Sequence, residues 1–211
     1  MKNIRILLAD DHAVVRQGFR AILAQQPDMQ IVGEAGNGRE VMALAQETTP
    51  DVIVMDVAMP ELNGIEATRR LMTQLPQTRI LALSMHKDSV YVREMLKAGA
   101  KGYLLKDSVE HDLLEAVRAL SRGGEYISPA VQPALTSPYR IEGTTPLDLL
   151  TSREREVLQL IAEGKTNKEV AAVLNISVFT VDAHRGRIME KLNVHNVNEL
   201  VRFAVRNGLV D

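Results

Sequence analysis

The sequence predicts an α/β domain built on a doubly wound parallel sheet of five strands, followed by an all-α domain of four helices. Over the first 123 residues, short runs of β-branched and aliphatic residues alternate with helical patterns, as in a parallel sheet that helices cover on both faces. From residue 148 onward every pattern is helical, and prolines interrupt the periodicity between the two parts. We therefore expect a first domain at residues 1–123, a linker at 124–147 and a second domain at 148–211.

The elements of the first domain follow from short apolar runs and from apolar residues at helical spacing. The runs predict strands at residues 4–9, 31–35, 52–55, 79–84 and 102–105. The helical spacing predicts helices at residues 13–25, 39–47, 65–74, 90–98 and 109–122. Because strands and helices alternate throughout, the pattern favours a parallel sheet.

Composition excludes several classes of site. The 211 residues are 45% apolar and 25% charged, which is ordinary for a globular protein, and none is cysteine, so a disulfide framework, a thiolate zinc site and a cysteine nucleophile are excluded. No apolar stretch approaches the length of a membrane span, and we expect a cytoplasmic protein with no membrane partner. The net charge is −2, and residues 150–211 hold nine Lys or Arg against eight Asp or Glu, so any contact with nucleic acid depends on local placement of basic residues.

Polar residues stand where four of the predicted strands end. Asp10 and Asp11 follow the first strand and Asp56 the third, and a flavodoxin-like strand order would place these two strand ends side by side. Crowded carboxylates repel one another unless a hard cation such as Mg²⁺ neutralises them. Ser84 and Lys106 add a hydroxyl and an ammonium, which a bound phosphoryl group requires. Asp56 could then act as a nucleophile that forms an acyl phosphate.

This series of residues resembles the receiver domain of two-component response regulators, over roughly residues 3–123. The strings that carry the resemblance are Asp56-Val-Ala-Met-Pro60, Gly64, and Gly102-Tyr-Leu-Leu before Lys106. The resemblance implies that Asp56 accepts a phosphoryl group from a sensor histidine kinase, and that the chain catalyses only its own phosphoryl transfer and dephosphorylation.

The resemblance also implies a role for each pocket residue. Asp11, Asp56 and the backbone carbonyl of Ala58 would bind Mg²⁺, and Asp10 would act through water. Ser84 and Lys106 would bind the phosphoryl oxygens, and Tyr103 would be the aromatic switch that swings inward when Ser84 is drawn toward the phosphate. Taken singly, Asp56 would be a helix cap or part of a solvated turn, and Ser84 a strand-end hydroxyl. Lys106 would be a surface charge and Tyr103 a packing residue. Their combined spacing carries the prediction.

In the family, the residues two positions past the phosphorylated Asp and past the switch hydroxyl set the rate of hydrolysis; here they are Ala58 and His86. Ala58 has no group that could orient a water molecule, so we expect the phosphate on Asp56 to persist for minutes or longer. An enzyme on the same sheet, either a phosphatase or a flavin protein, is an alternative, but position 58 lacks the general acid that a phosphohydrolase needs. A DNA-binding protein that uses its receiver only for dimerisation is the remaining alternative, and the complete set of pocket residues weighs against it.

The four helices of the second domain each begin at a residue that can cap a helix. Thr151 with Glu154 forms a capping-box pattern for a helix that ends near Gly164. Asn167, Ser177 and Asn196 would cap helices that reach residues 174, 192 and 208. The second and third helices are joined by a tight turn, which is typical of a helix-turn-helix.

The long third helix has two different faces. Val181, Ile188 and Leu192 form an apolar stripe that would pack in the domain. The opposite face could enter a major groove, and it holds Phe179, Ala183, Gly186, Arg187 and Glu190.

This part resembles the LuxR-type helix-turn-helix domain of the NarL/FixJ response regulators, over about residues 148–211. The matching strings are Leu150-Thr-Ser-Arg-Glu-Arg-Glu-Val-Leu158, Gly164-Lys-Thr-Asn-Lys-Glu-Val-Ala171, Ser177-Val-Phe-Thr-Val-Asp-Ala-His184, Arg187-Ile-Met-Glu-Lys-Leu192 and Asn198-Glu-Leu-Val201. By analogy, Asp182, Ala183 and Gly186 face bases. The candidates for contacts with DNA phosphates are Lys165, Thr166, Asn167, Lys168, Thr180, Arg185, Arg187 and Lys191.

Three residues of the third helix depart from the family pattern. Lys is common where this chain has Phe179, and Asp182 replaces the usual Glu or a base-reading Lys. Asp182 could accept a hydrogen bond from a cytosine amino group, but we favour an interaction with the helix dipole. Gly186 destabilises the helix by roughly 1 kcal/mol relative to Ala. Either the missing side chain lets the helix backbone approach the floor of the DNA groove, or the glycine is a tolerated weakness.

The two resemblances together predict a transcription regulator that phosphorylation switches. Its partners would be a sensor histidine kinase, double-stranded promoter DNA and a second copy of the chain when phosphorylated, and RNA polymerase is a further partner that the family allows. Phosphorylation would shift the population of domain arrangements or of dimers.

Overall fold

The computed structural model describes residues 3–85, 89–136 and 146–210. The chain divides into two compact units, Met1–Ser137 and Pro138–Asp211. Among the described residues, no helix is both long enough and apolar enough to cross a membrane.

The first unit alternates strands and helices. Its strands are β1 (Ile4–Ala9), β2 (Met29–Ala35), β3 (Val52–Asp56), β4 (Arg79–Ser84), β5 (Gly102–Leu105) and β6 (Tyr126–Ile127). Its helices are α1 (Ala13–Ala24), α2 (Gly38–Thr48), α3 (Gly64–Gln74), α4 (Ser89–Ala98), α5 (Val109–Ser121) and the short α6 (Gln132–Thr136).

The strands form one parallel sheet in the order β2-β1-β3-β4-β5-β6. Successive residues of each strand point to opposite faces, so the sheet has two apolar cores. Residues of α2, α3 and α4 pack in one core, and residues of α1 and α5 pack in the other. The predicted flavodoxin-like, doubly wound parallel fold is therefore confirmed.

The predicted number of five strands is wrong by one. Tyr126 and Ile127, which the sequence analysis placed in the linker, pair with Gly102 and Tyr103 of β5 as a sixth strand. Backbone hydrogen bonds from Tyr126 N to Lys101 O (3.1 Å) and from Ser128 N to Tyr103 O (2.9 Å) hold it there. The strand has only two residues, which is too short for a pattern of alternation. It covers the edge of β5, which would otherwise expose unpaired backbone groups.

More of the predicted linker is also structured. Residues 129–131 form a 3₁₀ turn before α6, and Val131 is fully buried in the core that contains the α4 residues. The part of the predicted linker at residues 137–145 lies outside the described residues.

The second unit is a four-helix domain, as predicted. Its helices are α7 (Ser152–Ala162), α8 (Asn167–Leu174), α9 (Val178–Leu192) and α10 (Val197–Arg206), and their apolar residues share one core. Thr151 with Glu154, Ser177 and Asn196 cap α7, α9 and α10 as predicted.

The predicted cap of α8 is wrong by one residue. Thr166 is the N-cap, and Asn167 is the first residue of the helix. Both residue types can cap a helix, but only Thr166 has a Glu three residues later. Glu169 accepts from the Thr166 backbone N–H at 2.7 Å, which completes a capping box.

A close approach of backbones fixes the end of β3, where Asp56 lies. The N–H of Gly64, the first residue of α3, donates to the Val57 carbonyl at 3.0 Å. A Cβ atom on residue 64 would lie 2.0 Å from the Asp56 carbonyl oxygen, so no side chain fits there. Val57, Met59 and Leu62 of the loop between β3 and α3 are buried. The strand end is therefore clamped by its own loop and by the next helix.

We expect Gly64→Ala to lower the free energy of unfolding by about 1–3 kcal/mol, because the added methyl group must displace backbone. Gly18→Ala is the matched control, since Gly18 lies inside α1 with nothing within 4 Å of an added Cβ. That change should raise the free energy of unfolding by up to about 1 kcal/mol through helix propensity. Urea unfolding measures both, and an equal response of the two variants would contradict the close approach at Gly64.

Candidate functional site

The predicted acidic residues meet at the carboxyl ends of two neighbouring strands. Asp56 ends β3 and Asp10 follows β1, and the last pair of residues in register is Ala9 with Met55. The two carboxylates are almost fully buried, at 1% exposure for Asp10 and 3% for Asp56. The neighbouring strands thus bring together two side chains that are 46 positions apart by number (56 − 10).

Lys106 lies between these two carboxylates. Its Nζ is 2.7 Å from Asp56 Oδ2 and 2.7 Å from Asp10 Oδ2. Lys106 directly follows β5, and β5 pairs with β4, the other neighbour of β3. The ammonium therefore reaches across the strand end of β4 and neutralises part of the charge that the fold concentrates there.

Burial and neighbouring charge oppose each other in this pocket. Burial raises the pKa of Asp56 to about 6, and the Asp10 charge also raises it, while Lys106 and a hydrogen bond from the Ala58 backbone lower it. Burial alone would lower the pKa of Lys106, but the charges of Asp56 and Asp10 and their hydrogen bonds outweigh burial and raise it. Near neutral pH the pocket accordingly holds an ionised Asp56 beside a charged lysine.

The donor set fits a divalent cation. Asp10, Asp11, His12 and Asp56 each offer a ligand atom, and these four atoms lie within 4.8 Å of one another. Carboxylate oxygens are the ligands that Mg²⁺ prefers, and Asp11 is exposed, so the cluster is open to solvent on that side. The N–H of Ala58 bonds to the Asp56 carboxylate, which puts the Ala58 backbone beside the cluster.

Sequence reasoning missed His12. Its Nδ1 is 2.8 Å from Asp11 Oδ1, and its backbone N–H donates to Asp10 Oδ1 at 2.8 Å. The available signal was its position directly after the two aspartates. The imidazole is mostly exposed, so it lies at the mouth of the cluster and not inside it.

The remaining predicted pocket residues lie on β4 and β5. Ser84 is the last residue of β4, is buried, and pairs in register with Leu105, the residue before Lys106. Tyr103 is fully buried in the apolar core that contains Val92 and Met95 of α4. His86 lies outside the described residues.

In the second unit, the two faces of α9 lie as the sequence predicts. Val181 and Ile188 are fully buried in the core of the four helices, and Leu192 packs against that core. The opposite face is exposed to solvent, and it contains Phe179, Ala183, Gly186, Arg187 and Glu190.

Asp182 of α9 has partners within the protein. Its Oδ1 accepts from Asn167 Nδ2 at 2.7 Å and lies 3.1 Å from Arg185 Nη2. Asp182 therefore links the start of α8 to α9, and this link occupies three of the predicted DNA-contacting side chains.

Lys191 also has a partner within the protein. Its Nζ lies 2.7 Å from Oε2 of Glu154, whose side chain is buried at the start of α7. Burial alone would raise the pKa of Glu154, but Lys191 and Thr151 outweigh burial and lower it. Lys191 thus compensates a buried charge.

The other predicted DNA-contacting residues divide into engaged and free side chains. Thr166 caps α8, Thr180 Oγ1 is 2.8 Å from Ser177 Oγ, and Lys165 Nζ is 3.7 Å from Glu163. Lys168 and Arg187 are exposed, and neither has an ion-pair partner within the described ranges. These two cations are the ones that remain available for a polyanion.

Two family models match the chain. One is described as "Response regulator receiver domain" and matches residues 6–118, and the other as "Bacterial regulatory proteins, luxR family" and matches residues 148–204.

Proteins similar along nearly the whole chain carry related descriptions. An uncharacterized transcriptional regulatory protein, YxjL of Bacillus subtilis (strain 168), is 44% identical over 99% of this chain and 98% of its own length. The oxygen regulatory protein NreC of Staphylococcus carnosus is 41% identical over 99% of this chain and 100% of its own length. A solved structure of two RcsB dimers bound to two parallel DNAs is similar with a TM-score of 0.63 and 27% identity, over 98% of this chain and 99% of that chain.

We expect Asp56→Asn to raise the free energy of unfolding in EDTA near neutral pH, by up to about 3 kcal/mol. The folded-state pKa of Asp56 is raised to about 6 from a usual value of 3.8. The stability that its protonated form contributes is therefore fully present below the usual pKa and is lost as the pH rises through about 6.

In urea unfolding, the difference in free energy of unfolding between wild type and Asp56→Asn should accordingly widen as the pH rises from 3.8 to about 6. Added Mg²⁺ should narrow it, because the cation compensates the carboxylate only in the wild type. A gap that does not change with pH would contradict the raised pKa.

Proposed function

Since this chain belongs to the two-component response regulators of the NarL/FixJ type, which join a receiver domain to a LuxR-type DNA-binding domain, we propose that phosphorylation of Asp56 by a sensor histidine kinase controls its binding to promoter DNA. The observation that carries this proposal is the convergence of buried Asp10, buried Asp56 and Lys106 at one edge of the sheet.

The pocket supports nucleophilic attack by Asp56. A carboxylate oxygen of Asp56 forms a bond to the phosphorus of a phosphohistidine, the P–N bond breaks, and the imidazole leaves with its electron pair and takes up a proton from water. A pKa of about 6 keeps this carboxylate ionised near neutral pH. Lys106, at 2.7 Å from the carboxylate, offers its positive charge to the phosphoryl oxygens. Phosphoryl transfer to Asp56 and hydrolysis of the resulting acyl phosphate to inorganic phosphate are the only reactions that we assign to the chain.

The cofactor that we propose is Mg²⁺. Asp11, Asp56 and the carbonyl of Ala58 would hold it, with Asp10 acting through a water molecule. When bound, the cation supplies positive charge that neutralises the phosphoryl oxygens and the carboxylates.

Ser84 and Tyr103 would change position in response to the phosphoryl group. Both lie on the strands that flank the pocket on the β4 and β5 side, and both are buried. Ser84 would bind a phosphoryl oxygen, and the buried position of Tyr103 would be favoured as Ser84 moves. Such a change alters the surface near β4 and β5 by shifting a population of conformations and does not require a new fold.

Promoter DNA is the proposed ligand of the second unit. Lys168 and Arg187 would contact phosphates, and Ala183 and Gly186 on the exposed face of α9 would approach the bases. A homodimer would form on phosphorylation, as a second copy allows two half-sites to be bound together. Support comes from the solved RcsB dimers on DNA. RNA polymerase is a further proposed partner.

A phosphodonor experiment on the full chain tests the proposal. With Mg²⁺ and acetyl phosphate, the wild type should gain the mass of one phosphoryl group and change its footprint on genomic DNA, and Asp56→Asn should do neither. Lys106→Ala should lose the change in footprint because the charge beside the phosphoryl group is missing. Lys101→Ala is the matched control. Lys101 lies at the other end of β5 from Lys106, and its ammonium is 2.8 Å from the carboxylate of exposed Glu125. Labelling of Asp56→Asn to the same extent as wild type would refute the assignment.

Two cations of α9 should respond differently to mutation. Arg187→Ala should weaken DNA binding and reduce the slope of log affinity against log salt by about 1, because one phosphate contact is lost. It should leave the free energy of unfolding nearly unchanged. Lys191→Ala should instead lower the free energy of unfolding by about 1–3 kcal/mol, because buried Glu154 loses its cation.

Salt titrations of binding and urea unfolding of the same two proteins measure both effects. If Arg187→Ala keeps the affinity and the salt slope of the wild type, Arg187 does not lie at the DNA interface.

A further inference from the structure

We propose that Phe179 recognises the C5 methyl group of a thymine in the major groove of the operator. The inference rests on the proposed function of α9 as the helix that reads DNA, and it adds a residue that determines sequence preference.

Phe179 is an aromatic side chain that the protein leaves in water. It lies in the first turn of α9 and is 83% exposed, which makes it the most exposed large apolar side chain among the described residues. Water around an apolar ring is unfavourable, and burial on binding would recover that free energy. The ring has no hydrogen-bond donor for a phosphate oxygen, so a role in phosphate contact is excluded.

The position of Phe179 continues the base-facing stripe of α9. Asp182, Ala183 and Gly186 follow it at three, four and seven residues, which is the spacing of one helix face. All three are exposed, while Val181 on the other face is in the core. In a recognition helix, the residues near the N-terminus are those that reach base edges.

The chemistry of this stripe selects an apolar target. Asp182 is engaged by Asn167 at 2.7 Å and by Arg185 at 3.1 Å. Gly186 has no side chain, and nothing lies within 4 Å of a Cβ added to it. The groups that project outward are therefore the Phe179 ring and the Ala183 methyl. The thymine methyl is the apolar group that base pairs present in the major groove.

The surroundings of Phe179 favour DNA over a protein partner. Arg187 lies on the same exposed face of α9, and the Asn167–Asp182 hydrogen bond places the start of α8, with exposed Lys168, beside this helix. A docking surface for a protein would be expected to present a broader apolar patch. Phe179 and the less exposed Val178 form only a small apolar patch on α9. An aromatic ring on a face that also carries Arg187 is complementary to a groove lined by phosphates.

The test uses the full chain after treatment with acetyl phosphate, and duplexes that the wild type has selected from a random pool. Each thymine of a selected duplex is replaced in turn by deoxyuridine, which removes only the methyl group. We expect one thymine in each half-site at which the replacement weakens wild-type binding about fourfold. Phe179→Ala should bind the two duplexes equally well at that position, with the salt slope of the wild type. Val178→Ala, a change to the neighbouring partly exposed residue, should keep the wild-type preference.

The outcomes separate this inference from the proposed function. If the wild type selects no sequence from the random pool, α9 does not recognise DNA sequence, and both the proposed function of α9 and this inference fail. A selected sequence without any effect of deoxyuridine, or with an effect that Phe179→Ala retains, would overturn the role of Phe179 and leave the proposed function intact. A change in the sedimentation of Phe179→Ala without a change in base preference would assign the ring to a protein contact and overturn the inference.

Discussion

A lysine between two buried carboxylates organises the acidic pocket of the receiver domain. Lys106 Nζ contacts Asp10 and Asp56 at 2.7 Å each, and both acids are almost fully removed from solvent. Buried charges are unfavourable even when they are paired, so this cluster does not itself stabilise the fold. The apolar cores on both faces of the sheet supply the stability that holds three charges at one edge. One lysine balances only part of the charge of the carboxylates. A bound cation or phosphoryl group can therefore change the charge state of this pocket.

Backbone contacts help to set the position of Asp56, in addition to the contacts of its carboxylate with Lys106 and the Ala58 N–H. Gly64 at the start of α3 presses against the Asp56 carbonyl, where no Cβ would fit, and Asn63 caps that helix. Gly38 at the start of α2 similarly approaches the Leu62 carbonyl, and its N–H donates to it at 3.0 Å. Two helix starts thus enclose the loop after β3. Buried side chains and these backbone hydrogen bonds hold the loop beside Asp56.

The sequence predicted those features that arise from residues near one another in the chain. Strands of four or more apolar residues and a capping pair such as Thr151 with Glu154 each have a local signal, and they were predicted correctly. The two-residue strand Tyr126–Ile127 has no periodicity, and its pairing depends on the free edge of β5.

Contacts between distant residues could not be predicted in this way. Lys191 and Glu154 are 37 positions apart, and Asn167 and Asp182 are 15 apart, so their pairing depends on how the helices pack. The family resemblance suggested DNA contacts for Lys191, Asn167 and Asp182, and the packing gives each of them a partner within the protein. The convergence of Asp10, Asp56 and Lys106 also spans long distances in sequence. It could be predicted because the order of strands in a doubly wound sheet places their carboxyl ends together.

The internal ion pairs of the second unit bear on how phosphorylation could control DNA binding. The last 62 residues (211 − 149) hold nine basic and eight acidic side chains, and Lys191 and Arg185 are already paired within α7–α10. One such domain therefore offers few free cations, and its affinity for a single half-site should be modest. Joining two copies makes the second contact intramolecular and raises the affinity by orders of magnitude without any change in the helices. Under the proposed function, a receiver that only shifts the fraction of dimers would thus be sufficient to switch occupancy, provided that each helix-turn-helix alone binds weakly.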